Sequence, residues 1–101
     1  MPKDTNERNP VAEAVRDAGG SFQAGLMLFR IRYWMPRATL ERDGHKWVVN
    51  TLAEWGAQIG GNARQAEHAL NVLRKLGRIV TKVHLFRGHR RAVWVREVKP
   101  K

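Results

Sequence analysis

The chain has 101 residues, 43% of them hydrophobic, with four tryptophans, no cysteine and a formal net charge of +10. That length supports one hydrophobic core and not two, and the apolar content sets the chain apart from a disordered basic tail. The lack of cysteine removes disulfide and thiolate–metal chemistry, no apolar run is long enough to span a membrane, and the start MPKDTNERNP has no secretory apolar segment, so a soluble cytoplasmic protein is expected.

Residues 1–9 are polar, mixed in charge and aperiodic, and read as a flexible N-terminal arm. Asn9-Pro10 offers a helix N-cap followed by an N1 proline, and Gly19-Gly20 a stop. The segment between, residues 11–18, is a short helix with Val11, Ala14, Val15 and Ala18 on one face. Ser21 caps a second helix that runs from Phe22 to about Met35, where Pro36 ends it. This helix is apolar around most of its circumference, as suits the centre of a bundle, and Gly25 within it lets a neighbour approach closely. Residues 39–49 hold Asp43-Gly44 between stretches of strand propensity and predict a small hairpin or one short strand.

Thr51 and Glu54 have the spacing of a capping box, so a helix starts near Leu52 and runs through Trp55 to Ile59, where Gly60-Gly61 breaks it. Asn62 and Gln65 repeat the pattern and open a helix over residues 63–76, with Gly77 as the residue that ends it. Residues 78–86 and 91–98 are β-rich and are joined through Arg87, Gly88, His89 and Arg90 into a long antiparallel hairpin. Residues 99–101 form a short tail.

Two capped helices flanking a glycine-containing turn make a helix-turn-helix unit. The order helix, short strand, helix, turn, helix, hairpin predicts an α+β winged helix-turn-helix. It would be a single domain over residues 10–98, with a three-helix core, a C-terminal β-hairpin wing and a short extra N-terminal helix. Residues 22–98 resemble the winged-helix DNA-binding domains of phage and plasmid proteins, especially replication-initiator-type and small regulatory ones. The resemblance rests on Tyr33-Trp34, on Gly44 to Trp47, on Thr51 to Trp55, on the run from Gln65 to Leu73 with Leu76-Gly77, and on the β-run beyond. It implies DNA binding with a regulatory role in transcription, replication or partition.

The charge is unevenly placed. From Arg64 to Lys101 there are 11 Lys/Arg against two acids, Glu67 and Glu97, while the first 59 residues carry eight against seven. A cationic excess confined to one part of a small domain is the footprint of a polyanion binder. On the helix over residues 63–76, Ala66, Ala69, Leu70, Leu73 and Leu76 share a core face. Arg64, His68, Asn71 and Lys75 lie opposite, in a stripe free of acids. Arg and Asn suit guanine and adenine edges in the major groove, while Asn62 and Gln65 sit at the helix start, where a recognition helix first meets bases. Arg87, His89, Arg90 and Arg91 at the hairpin tip make a wing suited to the minor groove or the backbone. Lys82 and Arg96 would add phosphate contacts if they face the same way, which alternation alone does not decide.

Trp34, Trp47, Trp55 and Trp94 read as packing residues rather than a stacking platform. An enzyme is not expected. Ser21, the only serine, serves better as a cap; Tyr33, the only tyrosine, lies in an apolar helix; and His84 and His89 lack the co-ligands of a metal site. No cofactor is called for. Double-stranded DNA is the expected partner, a symmetric dimer joined through the helix over residues 11–18 is one arrangement, and an acidic protein surface is the alternative partner.

Overall fold

A computed structural model describes residues 9–86 and 90–98, with the side chains of all of these except Leu85, Phe86 and Arg90. Among the described residues four α-helices, one 3₁₀ turn and four strands follow one another, giving an α+β domain. Helix α1 (Pro10–Asp17) begins where the Asn9 side chain accepts the Val11 and Ala12 N–H groups at 3.1 and 3.0 Å. Asn9 is thus the N-cap of α1, as expected of it. Helix α2 (Phe22–Trp34) is capped by Ser21, whose hydroxyl accepts the Ala24 N–H. Gly25 of α2 lies directly under α1: a Cβ there would come within 2.5 Å of the Val15 Cα. The helices pack backbone to backbone, and only glycine permits it.

Helix α2 buries Ala24, Met27, Leu28 and Ile31, but Phe22 and Tyr33 at its two ends are exposed, so its apolar circumference is only partly covered. Pro36 sits in the 3₁₀ turn Met35–Arg37 that follows. Strands β1 (Leu40–Arg42) and β2 (His45–Asn50) pair antiparallel across Asp43-Gly44. Both turn residues are left-handed, with φ of 57° and 78°, as a two-residue type I′ hairpin requires. Of the two arrangements expected for residues 39–49, the hairpin is the one formed.

Helices α3 (Leu52–Gln58) and α4 (Ala63–Lys75) each open on a complete capping box, Thr51 with Glu54 and Asn62 with Gln65. Helix α4 closes on a Schellman turn, in which the Arg78 N–H donates to the Leu73 carbonyl and the Gly77 N–H to that of Arg74, with Gly77 at φ 74°. The turn between α3 and α4 is pressed onto α3. A Cβ at Gly56 would lie 2.3 Å from the Asn62 carbonyl oxygen. Gln58 fixes α3 against α2, its amide oxygen accepting from Arg30 Nε at 2.8 Å and from Trp34 Nε1 at 3.2 Å.

Strands β3 (Ile79–Phe86) and β4 (Arg90–Glu97) form the antiparallel hairpin, and β4 also pairs with β2, giving the sheet order β1-β2-β4-β3. One face of the sheet packs on the helices: Val48, Ile79 and Val95 join Met27, Leu28, Ile31, Trp55, Leu70 and Leu73 in the main core. Each such large side chain, fully buried, contributes roughly 1.5–3 kcal/mol. Trp55 is completely buried, and its indole donates to the Val93 carbonyl. Trp47 and Trp94 are also buried, yet they lie on the opposite face, in a second cluster with Ala92.

Arg32 of α2 joins the two ends of the fold. Its Nη2 donates to Asp17 at the end of α1 and its Nε to Glu97 of β4, both at 2.8 Å. The Arg32 hydrogen bond holds the Asp17 carboxyl below the ordinary carboxylate range. Partial burial works against the guanidinium charge, but the bonds to Asp17 and Glu97 outweigh it and raise the Arg32 pKa. No helix among the described residues is long and apolar enough to cross a membrane.

Candidate nucleic-acid interface

Helix α4 turns Ala66, Ala69, Leu70 and Leu73 into the core and leaves Arg64, His68 and Lys75 exposed on the other side, with Asn71 half-buried. Leu76, expected on the core face, is instead 48% exposed. It is the C-cap residue, one step beyond the last buried turn, and its Cδ1 lies over Gly19.

The polar residues of α4 divide into two kinds. Asn62 and Gln65 are held by their reciprocal caps, each side-chain oxygen accepting the other's backbone N–H at 2.9 Å. Capping uses only the oxygens, so what both can offer outward is an amide NH₂ donor. The Asn71 oxygen accepts from Arg74, whose other terminal nitrogen donates to the Thr81 hydroxyl at 2.9 Å. Asn71 is therefore tied, through Arg74, to strand β3, and its bidentate use toward adenine competes with that bond. Arg64, His68 and Lys75 remain as an exposed basic row.

Two arginines off this row have structural partners. Arg74 links α4 to β3, and Arg78 Nε donates to the Asp17 carbonyl at 2.9 Å, closing the C-terminal end of α1. Neither is an idle surface charge.

Of the expected wing, Arg87 and His89 lie outside the described residues, and Arg90 is described only as the first residue of β4. Arg91 is exposed and stands opposite Leu85 in the register. Alternation along β4 puts Arg91 on the side of Val93 and Val95, which is the helix side of the sheet. It projects there beyond the core, past Val83, which is half exposed. Arg91 thus shares a side of the molecule with α4.

Lys82 and Arg96 do face the same way, but away from α4. The register sets Lys82 opposite Trp94 and Arg96 opposite Val80, on the outer face of the sheet. They cannot extend the α4 row. The apolar face of α1 is occupied within the chain as well: Ala14 and Ala18 are buried and Val15 lies on Gly25 of α2, so that face is not open to a second copy. Among the described residues no group of His, Asp and Glu has the arrangement of a metal site. No protein family, curated protein or solved structure matches this chain.

Proposed function

We propose that the chain is a winged helix-turn-helix protein that binds double-stranded DNA with sequence preference. In this reading α2, α3 and α4 are the three-helix core, the β3–β4 hairpin is the wing and α1 is an accessory helix. Helix α4 enters the major groove, and Arg91 with the hairpin tip lies on the flanking backbone or minor groove. The protein acts by occupying a site, without chemistry of its own, as a cytoplasmic regulator of phage or plasmid type.

The observation that carries the reading is the exposed row of Arg64, His68 and Lys75, opposite the buried face of α4 and on the same side as Arg91. A row of basic side chains with no acid among them, on a helix braced at both ends, is what a recognition helix needs. The capping box fixes its start, and the Arg74–Thr81 bond fixes its end to the hairpin. The α3–α4 turn, tightened over Gly56, supports it by holding the helix pair at a fixed angle.

The test is a duplex titration by fluorescence anisotropy across a salt series, followed by selection from a random duplex pool. Affinity should fall steeply with salt, and Arg64→Ala should relax preference at one base pair by about 1–3 kcal/mol. A log–log salt slope near zero, or a selected preference that Arg64→Ala and His68→Ala leave intact, overturns the reading.

A further inference from the structure

The outer face of the sheet carries a feature that duplex binding through α4 leaves unexplained. Trp47 and Trp94 are 2% and 7% exposed there, although the packed helices all lie on the other face. Cationic side chains cover them. Arg42, from edge strand β1, places its Cζ 5.6 Å from the Trp94 ring centre, and Lys82, from the other edge strand, places its Nζ 5.6 Å from that of Trp47. Arg96 stands 5.3 Å over Trp47, and the His84 ring meets Trp94 edge-on at 5.6 Å. Each ring is thereby stabilised by positive charge over its face.

What the patch lacks is hydrogen-bond acceptors. Among the described residues, Trp94 Nε1, Arg96 Nε and His84 Nε2 are buried without a hydrogen-bond partner. An indole N–H and a guanidinium N–H can only donate, so the missing partner is an acceptor, and the cations around it favour a negative one. The carboxylate at hand, Asp43 in the β1–β2 turn, is bonded to Lys82. Lys82 holds the Asp43 carboxyl below its ordinary range, and Arg42 and His84 act in the same direction from nearby. The long cations reach solvent: Arg42 is exposed and the Lys82 side chain is 40% exposed.

We propose that this face binds a phosphate-class oxyanion, held by Arg42, Arg96, His84 and the Trp94 indole N–H, with the Asp43 carboxylate as its internal competitor. The anion enters as Arg42 and Lys82 swing off the rings, and it accepts the hydrogen bonds that the buried nitrogens lack. Because the site lies across the sheet from α4, it is separate from the surface assigned to duplex DNA. The oxyanion is either a phosphodiester of a second nucleic-acid segment or a free phosphate compound.

The test reads the tryptophan indole N–H resonances of ¹⁵N-labelled protein, with Trp94→Phe assigning the Trp94 signal. Inorganic pyrophosphate is titrated at constant ionic strength, and a short duplex is titrated separately into the Arg64→Ala/His68→Ala/Lys75→Ala variant. The Trp94 resonance should move saturably with pyrophosphate. Asp43→Asn should tighten that midpoint by about 2- to 5-fold, the scale of one exposed charge interaction, and Arg42→Ala should weaken it by a similar factor. Asn suits the left-handed turn position, and the Trp55 indole, bonded inside the core, reports that each variant is folded. Movement with the duplex as well identifies nucleic-acid backbone as the source, and movement with pyrophosphate alone identifies a free phosphate compound. A Trp94 signal that neither probe moves, or an Asp43→Asn variant that binds pyrophosphate no more tightly, overturns the proposal. A failure of the α4 reading is seen separately, in duplex affinity that the triple substitution leaves unchanged.

Discussion

Gly56 sets the geometry of the helix pair, and replacing it with alanine tests that geometry directly. The added Cβ would sit 2.3 Å from the Asn62 carbonyl oxygen, where real Cβ atoms essentially never come closer than 3.0 Å. The clashing atom is backbone, so no side chain can swing aside. The α3–α4 turn must retreat by at least about 0.7 Å. Overpacking of this kind costs about 1–3 kcal/mol, while the better helix propensity of alanine returns at most about 1 kcal/mol. A net loss of about 1–2 kcal/mol lowers the melting temperature of a domain this size by roughly 4–16 °C. Urea unfolding monitored by circular dichroism gives the free energy, and a thermal melt gives the temperature. Gly60, also in the turn, is the control: it has φ 70° and open space around it, so Gly60→Ala carries only the left-handed penalty of about 1–2 kcal/mol and Gly60→Asn much less. The two positions therefore separate crowding from backbone strain. A Gly56→Ala variant as stable as the parent would refute the close approach of the turn to α3.

Other outcomes follow from the core and from the Arg32 cluster. The Asp17 pKa is lowered in the fold, chiefly by the Arg32 hydrogen bond, so its stabilising contribution is complete above its ordinary value of 3.8 and is lost as pH falls through and below it. Thermal melts between about pH 2.5 and 6 should show an acid-side loss of stability that Asp17→Asn flattens, whereas equal slopes would exclude Asp17 as its source. Leu73→Ala, in the core, should cost about 2–5 kcal/mol in urea unfolding, and Leu76→Ala, at the exposed C-cap, less than about 1 kcal/mol. Equal costs would mean that α4 is rotated from the orientation described.

The elements of this chain are legible because their ends are written in side-chain chemistry. Asn9, Ser21, Thr51 and Asn62 each cap the helix they precede, Gly77 adopts the left-handed conformation that ends α4, and Asp43-Gly44 makes the tight turn. All of these act over a few residues. What the sequence left open acts over long separations. The pairing of β2 with β4 puts Trp47 beside Trp94, and no local pattern announces it. Alternation correctly left the side of Lys82 and Arg96 undecided; only the pairing of β3 with β4, and of β4 onto the helices, settles it. The same holds for Arg74 and Arg78, whose partners, the Thr81 hydroxyl and the Asp17 carbonyl, are 7 and 61 residues away in the sequence. Leu76 departs from the periodicity because the helical pattern continues past the point where the core ends.

The strand order has a consequence for how the chain assembles as it is made. Strand β4 is the latest of the four in sequence, yet it is interior, between β2 and β3. Until residues 93–95 have emerged, Val48, Val49 and Asn50 have no strand to pair with on that side, and the Trp55 indole lacks its carbonyl acceptor. The helices can gather during synthesis, but the sheet cannot close by adding strands at an edge. It closes by insertion, with one late segment completing two ladders, covering the main core and bringing Trp94 to Trp47 together. A nascent chain short of β4 leaves a ribbon of unpaired backbone on β2, the kind of edge that invites mispairing. The sheet is therefore complete only once β4 has joined β2 on one side and β3 on the other.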